Sequence, residues 1–205
     1  MVRFGEALTW EDLHRASRMD PRDEEIILGL DEVRPMATIE ARPLADKSGR
    51  ALYEGHRDVD AFVASVNAAL ASADDPEILV YVHGAKVDFY NACVFSAELD
   101  HFAGRDFVSV AFAWPTHQDI FAYLFGADVE RARESAAALE SLLQLLAERT
   151  EARRINILCW SAGARVTAKA LDEIAEFEDQ QAVDPSTLRL GAVVFAAPDI
   201  PVHTF

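Results

Sequence analysis

The sequence predicts a doubly wound, mainly parallel α/β sheet, and three observations carry that expectation. Short apolar runs recur at 78–82, 107–113, 155–158 and 190–196. Between them lie segments whose apolar residues repeat at helical spacing. His83-Gly84, Trp114-Pro115, Ser161 and Asp199, residue types suited to tight turns and ligand contact, stand just after the runs. Near-continuous apolar strands separated by helices suit a parallel sheet covered on both faces. Its crossovers bring the strand C-termini to one rim, where ligands bind.

Taken in order, residues 1–57 read as an irregular N-terminal arm with edge strands. Pro21, Pro35, Pro43 and Gly49 punctuate two short strand candidates, Glu25 to Gly29 and Ala37 to Arg42. From Asp58 the pattern turns regular, and 58–205 reads as the core of what is overall a single domain. Val59, Phe62, Val63, Val66, Ala69 and Leu70 share a helical face, and Ile78 to Val82 follows as a buried strand. A helix over Phe89 to Phe102 leads to a strand over Phe107 to Ala113. Val129 to Arg149 is a long amphipathic helix with Ala132, Ala136, Leu139, Leu142, Leu143 and Leu146 on one face. The strand before Ser161 comes next, then a helix from Ala164 to about Phe177. A polar loop with Pro185 precedes the last strand, Leu190 to Ala196.

Composition narrows the function classes. A chain of 205 residues, 51% hydrophobic, supports one well-buried core. Thirty-five acidic residues against 19 basic ones give a formal charge of −16, which disfavours nucleic acid and anionic membrane as partners. Cys93 and Cys159 sit in apolar surroundings, so reduced thiols and a cytoplasmic location are expected, with no signal peptide or membrane segment in the first residues. Neither cysteine has histidine or carboxylate partners at ligand spacing, and there is no phosphate-cradling or dinucleotide glycine motif. The expectation is a site without metal or cofactor that takes a small ester-like substrate or ligand.

Ser161 carries the chemical argument. It stands at a strand-to-helix corner in Cys159-Trp160-Ser161-Ala162-Gly163, where small residues two before and two after let the turn pass close to its neighbours. Such a turn lifts the hydroxyl clear of the sheet and aims backbone N–H groups at one point, where an oxyanion can form.

With those residues in place, the chain resembles a bacterial, esterase- and lipase-like branch of the α/β-hydrolase superfamily known only as a domain of unknown function. The matching pieces are Tyr81-Val82-His83-Gly84 with Phe89, Phe112-Ala113-Trp114-Pro115-Thr116, Ser161-Ala162-Gly163 with Arg165, and Ala196-Ala197-Pro198-Asp199. The resemblance implies a serine hydrolase acting on a carboxylic ester or thioester, with Ser161 as nucleophile and Asp199 orienting the base. The backbone N–H groups of Ala162 and Ala85 would form the oxyanion hole, and His83, Gly84, Lys86, Trp114 and Trp160 would line the pocket rim.

The chain also departs from that pattern. Ala85-Lys86 replaces an aromatic and an asparagine, Trp160 and Ala162 replace histidine and methionine, and Cys159 replaces the first glycine of the elbow. The family's catalytic histidine would stand well downstream of the acid, whereas this sequence stops at Phe205, with His203 the sole histidine after Ser161. The expectation is therefore a sheet truncated after the strand that carries the acid, an unidentified base, and self-association through the C-terminal region. A non-catalytic hydrolase-fold binding module is the alternative, and a piece of a longer esterase is the third reading.

Overall fold

A computed structural model describes residues 2–4, 8–16, 18, 28–30, 33–39, 57–117, 126–181 and 184–201. The chain divides into two compact units, Met1–Pro35 and Met36–Phe205. In the first, β1 (Val2–Phe4) pairs antiparallel with β2 (Leu28–Leu30). Helix α1 (Trp10–Ala16) opens on a reciprocal cap: the Asp12 carboxylate accepts the Thr9 N–H at 3.0 Å, and the Thr9 hydroxyl accepts the Asp12 N–H at 3.2 Å. The strand expected over Ala37 to Arg42 is absent from its described part, 37–39, and its remainder lies outside the described residues.

The second unit alternates helix and strand. Its elements are α2 (Arg57–Leu70), β3 (Ile78–Val82), α3 (Phe89–Phe102), β4 (Val108–Phe112), α4 (Ala127–Arg149), β5 (Ile155–Trp160), α5 (Gly163–Gln181) and β6 (Leu190–Ala196). The four strands are all parallel, in the order β4-β3-β5-β6. The doubly wound α/β expectation is met, and β5, one of the two inner strands, ends at Trp160, just before Ser161.

Alternation along the strands assigns the two faces. Ile78, Val80 and Val82 of β3 join Ile155, Ile157 and Cys159 of β5 in one buried cluster with Val66 and Leu70 of α2, Leu139, Leu143 and Leu146 of α4, and Val166, Ala170 and Ile174 of α5. Each such side chain removed from water contributes roughly 1.5–3 kcal/mol, so this face dominates stability. Helix α3 covers the opposite face at β4, where the Ser96 and Ser109 hydroxyls meet at 2.7 Å. On that face Val194 of β6 stays 47% exposed.

Two polar devices place the last strand. A register shift between β5 and β6 pairs Ile155 with Leu190 but Ile157 with Val193, leaving one extra residue in β6. The Asn156 amide oxygen accepts the Ala192 N–H at 2.8 Å, and its NH2 donates to Glu77 at 2.8 Å. Gly191 is required beside it, because an added Cβ would lie 2.2 Å from the Asn156 oxygen. Just before β6, Arg189 adopts φ 51° and its guanidinium donates to the carbonyls of Leu146, Ala147, Thr150 and Ala152, the end of α4 and the turn beyond. The expected polar loop here contains a single 3-10 turn, Pro185–Leu188, capped by the Asp184 carboxylate.

Candidate active site

The strand order brings the β3, β5 and β6 C-terminal loops side by side, with Ser161 between the other two. Ser161 has φ 47°, a left-handed conformation that a residue with a Cβ adopts only under constraint. Three contacts supply the constraint. Its N–H donates to Ala196 at 3.0 Å, while its carbonyl accepts the Ala164 N–H at 3.0 Å and the Asp199 N–H at 3.1 Å. The turn then runs so close to β3 that a Cβ on Gly163 would stand 2.5 Å from the Val82 carbonyl oxygen and 2.6 Å from that of His83. Gly163 is thus the small residue the elbow demands.

The β3 loop meets the elbow at Gly84, where an added Cβ would lie 3.1 Å from the Ser161 Cβ and 2.8 Å from Trp160 Cδ1. Ala85 follows, half-buried, and Ala162 is fully buried. Among the described residues no backbone carbonyl takes the N–H of either alanine. Backbone N–H groups without an acceptor are the kind of donor an oxyanion recruits.

His83 and Trp114, expected at the rim, lie beneath it. His83 is fully buried, and Trp114 is 3% exposed. The Trp114 N–H donates to His83 Nε2 at 3.0 Å and its indole N–H donates to the His83 carbonyl at 2.7 Å; the rings stack 5.5 Å apart. Because Nε2 accepts, Nδ1 carries the proton and donates to the Gly84 carbonyl at 2.8 Å. Burial lowers the His83 pKa below its usual value, holding the ring neutral. Both nitrogens are committed, so His83 shapes the loop and has no free lone pair for catalysis. Of the other residues expected at the rim, Trp160 is half-exposed, and Lys86 is exposed with φ 58°.

Asp199 reaches the serine through its backbone, but its carboxylate is held by Arg165, whose Nε donates at 3.0 Å. Cys159 is buried, with its thiol toward the Val194 carbonyl at 3.4 Å; burial pushes its pKa up to about 11, so it is an inert packing thiol.

His117, by the sequence a surface or rim residue, forms one further pair with Asp128. Its Nδ1, beyond β4, lies 2.6 Å from the Asp128 carboxylate, which also accepts the His117 N–H at 3.1 Å. Asp128 is fully buried while the His117 side chain is 38% exposed. The sequence places Asp128 just ahead of the helix expected from Val129, where a carboxylate suits a helix N-terminus but names no partner. His203 lies outside the described residues.

A cavity of about 510 Å³ opens beside the loop, lined by Val129, Arg133, Arg165, Lys169, Phe195 and Ile200 among others, and Ser161 does not line it. No group of three or more His, Cys, Asp or Glu side chains suited to a metal occurs among the described residues, and no described helix is long and apolar enough to cross a membrane.

Residues 58–205 match a family model described as "Alpha/beta hydrolase of unknown function (DUF900)". No curated protein and no solved structure matches the chain.

Proposed function

The chain belongs to this family of α/β hydrolases of unknown function, and on that premise we propose that it is a serine hydrolase acting on a carboxylic ester or thioester through an acyl-enzyme on Ser161. The observation that carries the reading is the left-handed serine wedged between Gly84 and Gly163, with no backbone carbonyl on the Ala162 and Ala85 N–H groups among the described residues. Ser161 Oγ attacks the carbonyl carbon as its proton passes to a base. Negative charge on the carbonyl oxygen meets the two N–H groups, the alkoxide or thiolate leaves with a proton, and water then releases the acid.

The base is not His83. His117 has the arrangement of an oriented base, one nitrogen on a buried carboxylate and the ring partly open to solvent, and it enters the test together with His203. Incubation with a fluorophosphonate probe and with short p-nitrophenyl esters is expected to give slow labelling and weak hydrolysis. Both should fall about a thousandfold or more in Ser161→Ala. Hydrolysis that survives Ser161→Ala overturns the reading. Loss of turnover in His117→Gln or in His203→Ala identifies the base.

One observation favours a second reading, a hydrolase-fold binding module. The Asp199 carboxylate, which would orient an imidazole, is occupied by Arg165. Tight ligand binding at the rim with no labelling of Ser161 would select it.

A further inference from the structure

We infer that Lys86 makes the site selective for substrates that carry an anionic group a few bonds from the scissile carbonyl, as the hemiester of a dicarboxylic acid does. The inference rests on the reading of Ser161 as nucleophile and extends it to substrate class.

Lys86 stands two residues beyond Gly84, where an added Cβ would meet both Ser161 and Trp160. The chain is anchored directly after it. The Thr116 hydroxyl donates to the Val87 carbonyl at 2.8 Å, and Asp88 caps α3 by accepting the Asn91 N–H at 2.8 Å. Between the elbow and those anchors Lys86 takes φ 58°, a conformation that glycine or asparagine would occupy more readily.

The Lys86 side chain is exposed and, among the described residues, makes no ion pair. Two cations of α5 are committed, Arg165 to Asp199 at 3.0 Å and Lys169 to Glu173 at 2.8 Å. The nearest carboxylate along the chain, Asp88, is engaged by both the backbone and side-chain amides of Asn91. In a chain with 35 acidic and 19 basic residues, an exposed ammonium group without an ion-pair partner among the described residues, two positions past the glycine that meets the candidate nucleophile, is a docking point for an anion brought by the substrate. Trp160, 50% exposed against Gly84, supplies an apolar wall for the carbon chain between that anion and the ester. Lys86 is in this respect a specificity residue, acting on the bound substrate and taking no part in bond making.

The test compares p-nitrophenyl hemisuccinate with the neutral p-nitrophenyl methyl succinate. An exposed ammonium–carboxylate pair favours the charged ester by about two- to fivefold in kcat/KM at low salt. That preference should shrink as salt is raised to 0.5 M, vanish in Lys86→Met and invert in Lys86→Glu. The same ratio is read without turnover by NMR titration of Ser161→Ala protein with methyl hydrogen succinate and with dimethyl succinate. If neither ester is hydrolysed by the wild type, the hydrolase reading fails while the binding ratio still decides the role of Lys86. Equal affinity for the two ligands, no binding of either, or a preference unchanged in Lys86→Met overturns the inference.

Discussion

Ser161 holds its backbone in a region that costs a non-glycine residue on the order of 1 kcal/mol or more, and it can do so because the residue two places on has no Cβ. Gly163→Ala is expected to destabilise the protein by roughly 3 kcal/mol, read as a lowered denaturant midpoint, since two backbone oxygens cannot yield to the methyl group. A neutral result would mean that the elbow relaxes. His83 gives a second prediction. Its pKa lies below the ordinary 6.5 in the folded state, so its contribution to stability is complete above pH 6.5 and falls away as pH drops below that value toward the folded pKa. Protonation would set an Nε2–H against the Trp114 N–H. Melting temperature should therefore decline below pH 6.5, with a change in Trp114 fluorescence, and a flat profile between pH 7.5 and 5.5 would contradict it. That the His83-Gly84 loop, Ser161 and Asp199 each follow a parallel strand was legible in the sequence; that His83 and Trp114 turn inward beneath that end of the sheet was not. Side-chain partners were hidden as well: the Arg165–Asp199 and His117–Asp128 contacts join side chains from separate elements, and no local pattern encodes such meetings.

At the scale of elements, the core strands and helices fell where hydrophobic period placed them, with Ile78–Val82, Phe89–Phe102 and Leu190–Ala196 met at both ends. Periodicity succeeds there because burial on the sheet imposes it. It fails at 37–39, where apolar residues pack against the sides of helices without pairing as a strand: Ala37 and Ile39 lie against Val59 and Val63 of α2 and Leu145 of α4. The bulge in β6 was equally hidden, since it depends on the side chain of a residue in β5. Its Asn156 ties three strands through Glu77, whose carboxylate also accepts from Arg153 at 2.8 Å. The Asn156 amide holds the Glu77 carboxyl below its usual 4.5 against the opposing effect of burial, with Arg153 and Arg154 adding to the lowering. That contribution is complete above pH 4.5 and lost as pH falls through the folded value. Glu77→Gln should cost about 1 kcal/mol at pH 7 and flatten the stability profile below pH 4.5. An unchanged acid limb in the variant would remove Glu77 from that role.

For the whole molecule, the balance is between an apolar edge and a large negative charge. Strand β6 ends the sheet among the described residues, it carries no charged side chain, and Leu190 and Val194 are 37% and 47% exposed. Edges of this kind pair with other chains, and we propose that copies of this chain associate there, against the repulsion of their −16 charges. Light scattering after size exclusion should show association that grows with salt, as screening weakens repulsion, and that is suppressed in Val194→Lys. A monodisperse monomer at high protein concentration in both salts would show that the edge needs no partner. The Arg189 clamp bears on a different matter, the order in which the molecule assembles. It joins positions 37 to 43 residues apart in sequence, and its carbonyl acceptors exist as a set only once α4 has ended and turned toward β5. Closing so long a loop is slow beside helix formation. If the clamp forms after the transition state, Arg189→Ala accelerates unfolding far more than it slows refolding, which the two arms of a chevron plot read directly.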